Sequence, residues 1–224
     1  MKRLIFLLLI PLVLVSQSVL AAVVDRNASV AVMDFGTRPG ATTAEININN
    51  AEHASCDYVI SRLVNRNCFN VMEKELVLNK AQSRGLKVVG LIDPDTAKQL
   101  GNLLNAKYII YGNIANVSVS DTGTEVLSGI SGGVNVCTVK AHIIARMMDV
   151  DTGNIVMVAK GDGKSKSTFI RASVGKSLYN ADIITIGAVK VTQDSVHNAI
   201  QKAAYATVDD FMFRLFNEPK LKII

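Results

Sequence analysis

The sequence predicts an α/β fold, with a mixed central sheet flanked by helices, then an antiparallel hairpin region and a C-terminal helix. Three patterns indicate this fold. Short apolar runs alternate with helical segments up to about residue 114. A long segment of alternating apolar and polar residues then covers residues 137–148. Helical periodicity returns near the C-terminus and favours a closing helix.

The first half of the chain is expected to supply three strands and three helices. Residues 29–35, 68–72 and 106–114 are short apolar runs typical of buried strands. Helical spacing predicts helices over residues 51–67 and 73–84, and Gly85 ends the second of these. Asp93 and Pro94 form an N-cap and first-turn pair for the third helix. Its inward face is expected to carry Ala97, Leu100 and Leu104.

The second half is expected to be richer in strands. Residues 137–148 have one apolar and one largely polar face, and residues 151–154 supply turn residues before an antiparallel partner strand begins at Ile155. A glycine- and serine-rich stretch over residues 161–182 and a strand-like run over residues 183–191 follow. The closing helix is predicted over residues 194–216. Its expected inward stripe consists of Val196, Ile200, Ala203, Thr207, Phe211 and Leu215.

The N-terminal residues predict a secretory signal peptide over residues 1–22. Lys2 and Arg3 precede an apolar run over residues 4–15, and small residues follow it. Cleavage after Ala21 is favoured because it places Val19 and Ala21 at the −3 and −1 positions. Residues 23–217 then form a single domain with a short tail over residues 218–224. No cysteine follows the apolar run, so we expect an exported protein without lipidation, located in the space that the outer membrane encloses.

Charge and motif spacing give no indication of a nucleic-acid or nucleotide partner. Loss of Lys2 and Arg3 lowers the formal net charge from +5 to +3, and no arginine–aromatic cluster accompanies it. The stretch Gly-Asp-Gly-Lys-Ser-Lys-Ser-Thr at residues 161–168 resembles a phosphate loop, but Val158 stands where the motif requires its first glycine. We therefore expect neither nucleotide binding nor any other cofactor.

Two Asp-Thr-Gly triplets, at residues 121–123 and 151–153, raise the question of an aspartic protease. They lie too close in sequence to face each other from two lobes, so both are interpreted as turns. A calcium loop beginning at Asp149 also fails, because Lys160 stands where a bidentate glutamate belongs. His53, His142 and His197 lack a local nucleophile partner and are expected to be hydrogen-bonded or solvated. The sequence thus predicts a protein that is not an enzyme.

The three cysteines, Cys56, Cys68 and Cys137, are an odd number for an exported chain. A helix over residues 51–67 separates Cys56 from Cys68 too far for a disulfide, so buried free thiols are expected. His53 and Cys56 could share one face of this helix. Two ligands do not make a metal site, and none is expected.

Several blocks in the same order resemble the CsgG family of bacterial envelope proteins. They are VAVMDFGTRPG, VISRLVNRNCFNVMEK, NAKYIIYGNI, AHIIARMMDVDTGNIV and TQDSVHNAIQKAAYATVDDF. The resemblance implies a non-enzymatic role in the assembly or export of curli-like fibre subunits or other envelope material. It also implies a homo-oligomer or an envelope partner protein.

In channel members of that family, identical subunits form a ring and contribute β-hairpins that enter the outer membrane. On this sequence the resemblance places the two hairpins at about residues 115–145 and 159–190, so that residues 161–168 would be the outgoing arm of the second. It also places Asn47, Asn49 and Asn50 in a loop that would face a channel or a partner.

Two hypotheses stay open at this point. The first is a subunit of an export or assembly complex whose hairpins enter a membrane. The second is a soluble periplasmic accessory module of the same fold that contacts an envelope partner without forming a pore. The absence of a cysteine to acylate, and Lys164 and Lys166 on the face of a strand that should meet lipid, weaken the pore hypothesis, but the lipid-facing pattern does not decide between the two hypotheses.

Overall fold

The structure is a computed structural model that describes residues 23–42, 46, 48, 50–86, 92–126, 132–172, 183–186, 189–217 and 222–223. The predicted signal peptide lies outside these residues. The strands are β1 Val23–Val24, β2 Ser29–Val32, β3 Gly36–Thr37, β4 Asn70–Val71, β5 Tyr108–Val126, β6 Gly132–Asp149, β7 Ile155–Ala172, β8 Ile183–Ile186, β9 Val189–Thr192 and β10 Lys222–Ile223. The helices are α1 Ala51–Asn65, α2 Lys74–Ser83, α3 Pro94–Leu104 and α4 Gln193–Asn217.

The central sheet is mixed, as the sequence predicts. Its strand order is β4-β2-β5-β6-β7, and the short β3 also pairs with β5. The pairs among β4, β2, β3 and β5 are parallel, whereas β5, β6 and β7 form an antiparallel meander. Two small sheets accompany it, one parallel pair of β1 with β10 and one antiparallel pair of β8 with β9.

Helices pack on both faces of this sheet. Both faces carry apolar side chains, because successive strand residues point to opposite sides. Tyr108 and Ile110 of β5 belong to the core shared with α1 and α4. Ile109 and Tyr111 belong to a second core shared with α2 and α3. The α/β fold is therefore three layers deep at the start of β5, with buried side chains on both faces of the sheet.

The helices begin and end close to the predicted residues. The Asp93 side chain accepts a hydrogen bond of 2.9 Å from the Thr96 backbone N–H, and Pro94 occupies the first turn of α3. Gly85 follows α2 with a φ of 65°, a conformation that glycine adopts without strain. The predicted inward residues of α3 and α4 are all buried. Among the described helices, none combines the length and the apolarity needed to cross a membrane.

The alternation predicted for residues 137–148 is confirmed. Buried residues of the α4-facing side of β6 are Cys137, Val139, Ala141, Ile143, Ala145 and Met147. The three cysteines are free and buried, as expected. By contrast, the strand predicted over residues 68–72 is only Asn70–Val71, because Cys68 lies before it and packs in the core.

The turn predicted at Asp121-Thr-Gly123 is wrong. These residues continue β5, and the register with β6 shifts between Asp121 and Thr124. Such an irregularity absorbs an extra residue without reversing the chain. The other triplet does form a turn, in which Gly153 has a φ of 75° and the Thr152 N–H donates to Asp149 Oδ1 over 2.9 Å.

The second hairpin also differs from its prediction. Residues 161–168 lie inside β7, the outgoing strand, which pairs with β6 from Ile155 to Ala172, so the difference lies in the predicted return arm. In the described part of the chain, residues 183–186 and 189–192 pair with each other instead. The first predicted hairpin is present as β5 and β6, which extend beyond the predicted bounds of residues 115–145.

Gly161 and Gly163 explain why the α4-facing side of this stretch carries no large side chains. A Cβ atom at Gly161 would collide with the Ala203 carbonyl oxygen and Thr207 of α4. A Cβ atom at Gly163 would collide with the backbone of Ala199 and Ala203. The glycines thus allow the helix backbone to lie directly against β7.

We predict that Gly161→Ala and Gly163→Ala each lower the free energy of unfolding by about 2 kcal/mol or more, because an added methyl forces α4 away from the sheet. Urea denaturation followed by circular dichroism measures this change. Asp162→Ala is the matched control, since Asp162 is exposed on the same strand and its ion pair is worth about 1 kcal/mol or less. An alanine at either glycine that costs no more than this control would contradict the packing.

Asp209 of α4 joins α1 through two arginines. Its carboxylate lies 2.7 Å from Arg62 Nη2 and 2.6 Å from Arg66 Nη2. Burial alone would raise the pKa of Asp209, but the hydrogen bonds from both guanidinium groups outweigh it and lower the pKa below 3.8. The two pairs therefore stabilise the fold above about pH 4, and this contribution is lost as the pH falls through the folded-state pKa.

Asp209→Asn should cost about 1 kcal/mol of unfolding free energy at pH 7, since the pairs are partly exposed. The difference from the wild type should shrink as the pH falls below about 4 and be lost as the pH passes through the lowered folded-state pKa of Asp209, where its carboxyl is protonated. Denaturant melts at a series of pH values measure it, with Glu73→Gln as the control because Glu73 makes no side-chain cap hydrogen bond. A loss of unfolding free energy that does not depend on pH would contradict an ionic origin of this stabilisation.

Candidate binding site at the start of the first helix

An open pocket of about 400 Å³ lies where the loop after β3 meets the start of α1. Its lining residues are Thr37, Thr42, Ile48, Asn50, Glu52 and His53, which we call the loop pocket. Hydroxyl, amide, carboxylate and imidazole groups surround one aliphatic side chain. Such a lining can donate and accept several hydrogen bonds to a polar ligand or a partner loop.

The loop pocket contains one of the three asparagines singled out from the sequence. Asn50 precedes α1 with a φ of 62°, and its side chain makes no cap hydrogen bond to the helix. Asparagine tolerates this left-handed conformation better than most residues. Asn47 and Asn49 lie outside the described residues, so their predicted role stays a prediction.

Glu52 connects two of the elements that line the loop pocket. Its Oε1 atom accepts a hydrogen bond of 2.7 Å from the Thr37 backbone N–H. The carboxylate also lies in the first turn of α1, where the helix dipole favours negative charge. Strand β3 and helix α1 are therefore joined directly beneath the pocket.

Behind His53 lies an ion cluster around the buried Asp34, formed by Asp34, His53, Asp57 and Lys74, which we call the Asp34 cluster; His53 and Asp57 are largely exposed. The Asp34 side chain is fully buried just after β2, and its Oδ2 lies 2.6 Å from His53 Nδ1. Lys74 Nζ lies 3.4 Å from Asp34 Oδ1 and 2.8 Å from Asp57 Oδ1. It also donates to the His53 carbonyl oxygen over 3.1 Å. The cluster links β2, α1 and α2 at one point.

The charge of Lys74 is maintained by its neighbours. Burial lowers the pKa of its ammonium group, but the hydrogen bond to Asp57 and the nearby Cys56 and Asp34 outweigh burial, so the pKa is raised above 10.5. A positive charge therefore faces the buried Asp34 carboxylate throughout the physiological range. This compensation is needed because an unpaired buried carboxylate is costly.

Cys56 lies next to this cluster but is not arranged as a nucleophile. Burial raises the pKa of its thiol well above the ordinary value of 9.0; Lys74 opposes this shift, and Asp34 adds to it. The thiol stays protonated, and its Sγ lies 3.7 Å from the Val32 carbonyl oxygen in the core. In the part of the chain that the structure describes, no group of three or more His, Cys, Asp and Glu residues could hold a metal ion.

The other residues considered from the sequence lie elsewhere. His142 Nδ1 lies 2.8 Å from Asp162 Oδ1 on the polar side of the sheet, and His197 Nδ1 lies 3.2 Å from the Gln193 carbonyl oxygen. Asp151 pairs with Lys107 Nζ over 2.7 Å. The prediction of hydrogen-bonded or solvated histidines is therefore confirmed for these two as hydrogen-bonded, while the His53 side chain is 45% exposed and close to Asp34.

Sequence reasoning missed Asp34 and Lys74. The only available signal for Asp34 is a single carboxylate inside the apolar run at residues 29–35. Nothing in the sequence relates it to Lys74, because the two residues are brought together only when α2 folds against β2. Such a contact is a property of the tertiary structure.

A comparison with protein-family models identifies this architecture. The model described as "Curli production assembly/transport component CsgG" matches residues 15–222. The chain belongs to the CsgG family. The resemblance inferred from the ordered sequence blocks is thereby confirmed. No curated protein sequence matches the chain.

Solved structures give distant likenesses to this CsgG-family chain. The LpoB C-terminal domain from Salmonella enterica is 16% identical, with 62% of this chain and 84% of that chain covered and a TM-score of 0.42. The PelC dodecamer from Paraburkholderia phytofirmans is 13% identical, with coverage of 84% and 88% and a TM-score of 0.32. The hypothetical protein CT253 from Chlamydia trachomatis is 13% identical, with coverage of 84% and 95% and a TM-score of 0.44.

Lys74→Met should lower the free energy of unfolding by about 3 kcal/mol, because it leaves the buried Asp34 carboxylate without its ammonium partner. The double variant Asp34→Asn/Lys74→Met should recover part of this loss, since it removes both charges together. Urea denaturation at pH 7 measures the wild type, the single variants Asp34→Asn and Lys74→Met, and the double variant. Lys80→Met, on the same helix and without a described acidic partner, is the control, and a double variant as unstable as the sum of its singles would contradict the cluster.

Proposed function

We propose that this CsgG-family chain is a non-enzymatic accessory protein of the bacterial envelope that binds a partner protein through the loop pocket and forms no pore. The proposal is supported by the family membership together with the arrangement of residues 161–167. The envelope setting follows from the predicted signal peptide and from the family. Assembly or export of curli-like fibre subunits or other envelope material is the process in which such a protein would take part.

The observation that carries the proposal is the packing of β7. Its small residues at positions 159, 161, 163, 165 and 167 are buried, and α4 covers this side at Gly161 and Gly163. On its other side it exposes Lys160, Asp162, Lys164 and Lys166. Neither side of this segment offers lipid an apolar surface. The segment that the resemblance assigned to a membrane hairpin is thus used to complete the folded domain.

The loop pocket is suited to a protein partner. Its groups are held by the hydrogen bond from Thr37 to Glu52 and by the Asp34 cluster, so little conformational entropy is lost when a partner binds. Asn50 presents an amide that is not used for helix capping. An amide of this kind can pair with the backbone of an extended segment or loop.

A second candidate function is a subunit of a homo-oligomeric export complex. It is favoured by the description of the family model, which names a curli assembly and transport component. In that case the loop pocket would contact a second copy of this chain. The two candidates therefore differ in what lies against Thr42 and Asn50.

Site-specific photo-crosslinking from position 42 distinguishes them. A photoreactive residue replaces Thr42 in the full chain, produced with its leader in a Gram-negative bacterium, and the adducts are resolved by mass. We expect one discrete adduct with a different protein, because Thr42 lines the loop pocket. A ladder at multiples of the chain mass would overturn the proposal in favour of the oligomer.

Two matched variants complete this test. Asn50→Gly removes the amide but keeps the left-handed backbone and should reduce the adduct severalfold. Asn105→Gly makes the same change at the end of α3, also at positive φ, and should leave the adduct unchanged. A photoreactive residue that replaces the exposed Gln82 of α2 should not form the adduct obtained from position 42. Identical adducts from positions 42 and 82 would also overturn the proposal.

A further inference from the structure

One face of the sheet carries a row of positive charges that neither the fold nor the loop pocket uses. The side of β6 and β7 opposite α4 presents Lys140, Arg146, Lys160, Lys164 and Lys166, which we call the basic sheet face. It continues the side on which Met148 packs under α2 and α3. The second helical layer therefore covers only the beginning of this side, and the four lysines are exposed.

Strand register brings like charges together on the basic sheet face. Lys140 lies directly opposite Lys164, and Thr138 lies opposite Lys166. Like charges at directly opposed positions destabilise a sheet. None of the four lysines forms an ion pair with a residue that the structure describes. Asp162 is the acidic residue between them, and His142 lies 2.8 Å from its carboxylate.

The charges form a narrow stripe. Lys160, Lys164 and Lys166 follow one strand, which spans about 20 Å between the first and the last of them at the usual rise per residue. The adjoining positions of β5 on this side are polar and uncharged, at Asn116, Ser118 and Ser120. The ammonium groups are thus flanked by the side-chain hydroxyl and amide groups of these β5 residues, whereas Thr138 is buried.

This arrangement favours a linear polymer that bears both negative charges and hydroxyl groups. A flat bilayer fits less well, because α2 and α3 cover the same side nearby and a helix is about 10 Å thick. A protein partner fits less well because lysine is depleted from protein interfaces. Single-stranded nucleic acid would require aromatic stacking residues, and the named positions of this stripe have none.

We infer that the basic sheet face binds an acidic polysaccharide, with the lysines facing its carboxylates and the flanking hydroxyl and amide groups facing its sugar hydroxyls. The inference does not depend on the loop pocket or on its partner. It adds a second surface, on the side of the sheet opposite α4. Binding would also relieve the repulsion between Lys140 and Lys164.

Affinity electrophoresis of the full chain, purified from the periplasm, tests the inference. Polygalacturonate in the gel supplies the carboxylates, and neutral dextran is the reference polymer. We expect retardation by polygalacturonate alone, weakening at 0.5 M salt as the charges are screened. Lys140→Gln/Lys164→Gln/Lys166→Gln should weaken binding about tenfold or more, because it removes the centre of the stripe.

Two triple variants separate the stripe from net charge and from folding. Lys140→Arg/Lys164→Arg/Lys166→Arg keeps the charges and should keep most of the binding. Lys80→Gln/Arg84→Gln/Lys98→Gln lowers the net charge equally on α2 and α3 and should bind like the wild type. Circular dichroism checks that each protein is folded.

Three outcomes would overturn the inference. The first is an equal loss in both glutamine triples, which would indicate net charge alone. The second is retardation by dextran as strong as by polygalacturonate. The third is co-sedimentation with vesicles of 30% phosphatidylglycerol in phosphatidylcholine without binding to polygalacturonate, which would assign the surface to lipid. None of these outcomes bears on the crosslinking from position 42.

Discussion

The close contact between α4 and β7 is the constraint on which the rest of the structure depends. Because Gly161 and Gly163 have no side chains, the helix backbone at Ala199 and Ala203 can rest against the strand. This contact lets α4 cover the inner side of β6 and β7 while it also meets α1, where Asp209 binds Arg62 and Arg66. The contact between α4 and β7 therefore determines the packing of the larger core, the edge of the sheet at β7 and the position of α1.

The same strand explains how one short segment serves two purposes. Since side chains alternate between the two sides of a strand, small residues toward α4 require the intervening residues to face the other way. Those residues are Lys160, Asp162, Lys164 and Lys166. A segment that looks like a solvated loop in composition is therefore a regular strand, with one side adapted to a helix and the other to solvent or an anionic partner.

Periodicity explains which parts of the fold could be predicted. The inward stripe of α4 and the alternation of β6 follow from hydrophobic spacing, which local sequence shows directly. Residues 161–167 gave no such signal, because glycine and serine are buried there through close packing and not through hydrophobicity. The Asp121 triplet predicts a turn because it matches turn chemistry, yet cross-strand pairing overrides that preference. Asn50 was found through resemblance, whereas Asp34 and Lys74 meet only in the folded chain.

The Asp34 cluster gives the loop pocket its rigidity. Joining three elements through charged side chains costs free energy, since each charge that is buried must be desolvated and then compensated by a partner. Apolar side chains at Asp34 and Lys74 could join β2 to α2, but they would leave His53 without its partner at the edge of the pocket. Asp34 lies just after β2, His53 in the first turn of α1 and Lys74 at the start of α2, so their contacts fix the direction in which α1 leaves the pocket. The conformational specificity of these contacts, more than any gain in stability, is therefore the physical reason for a charged cluster beside a binding surface.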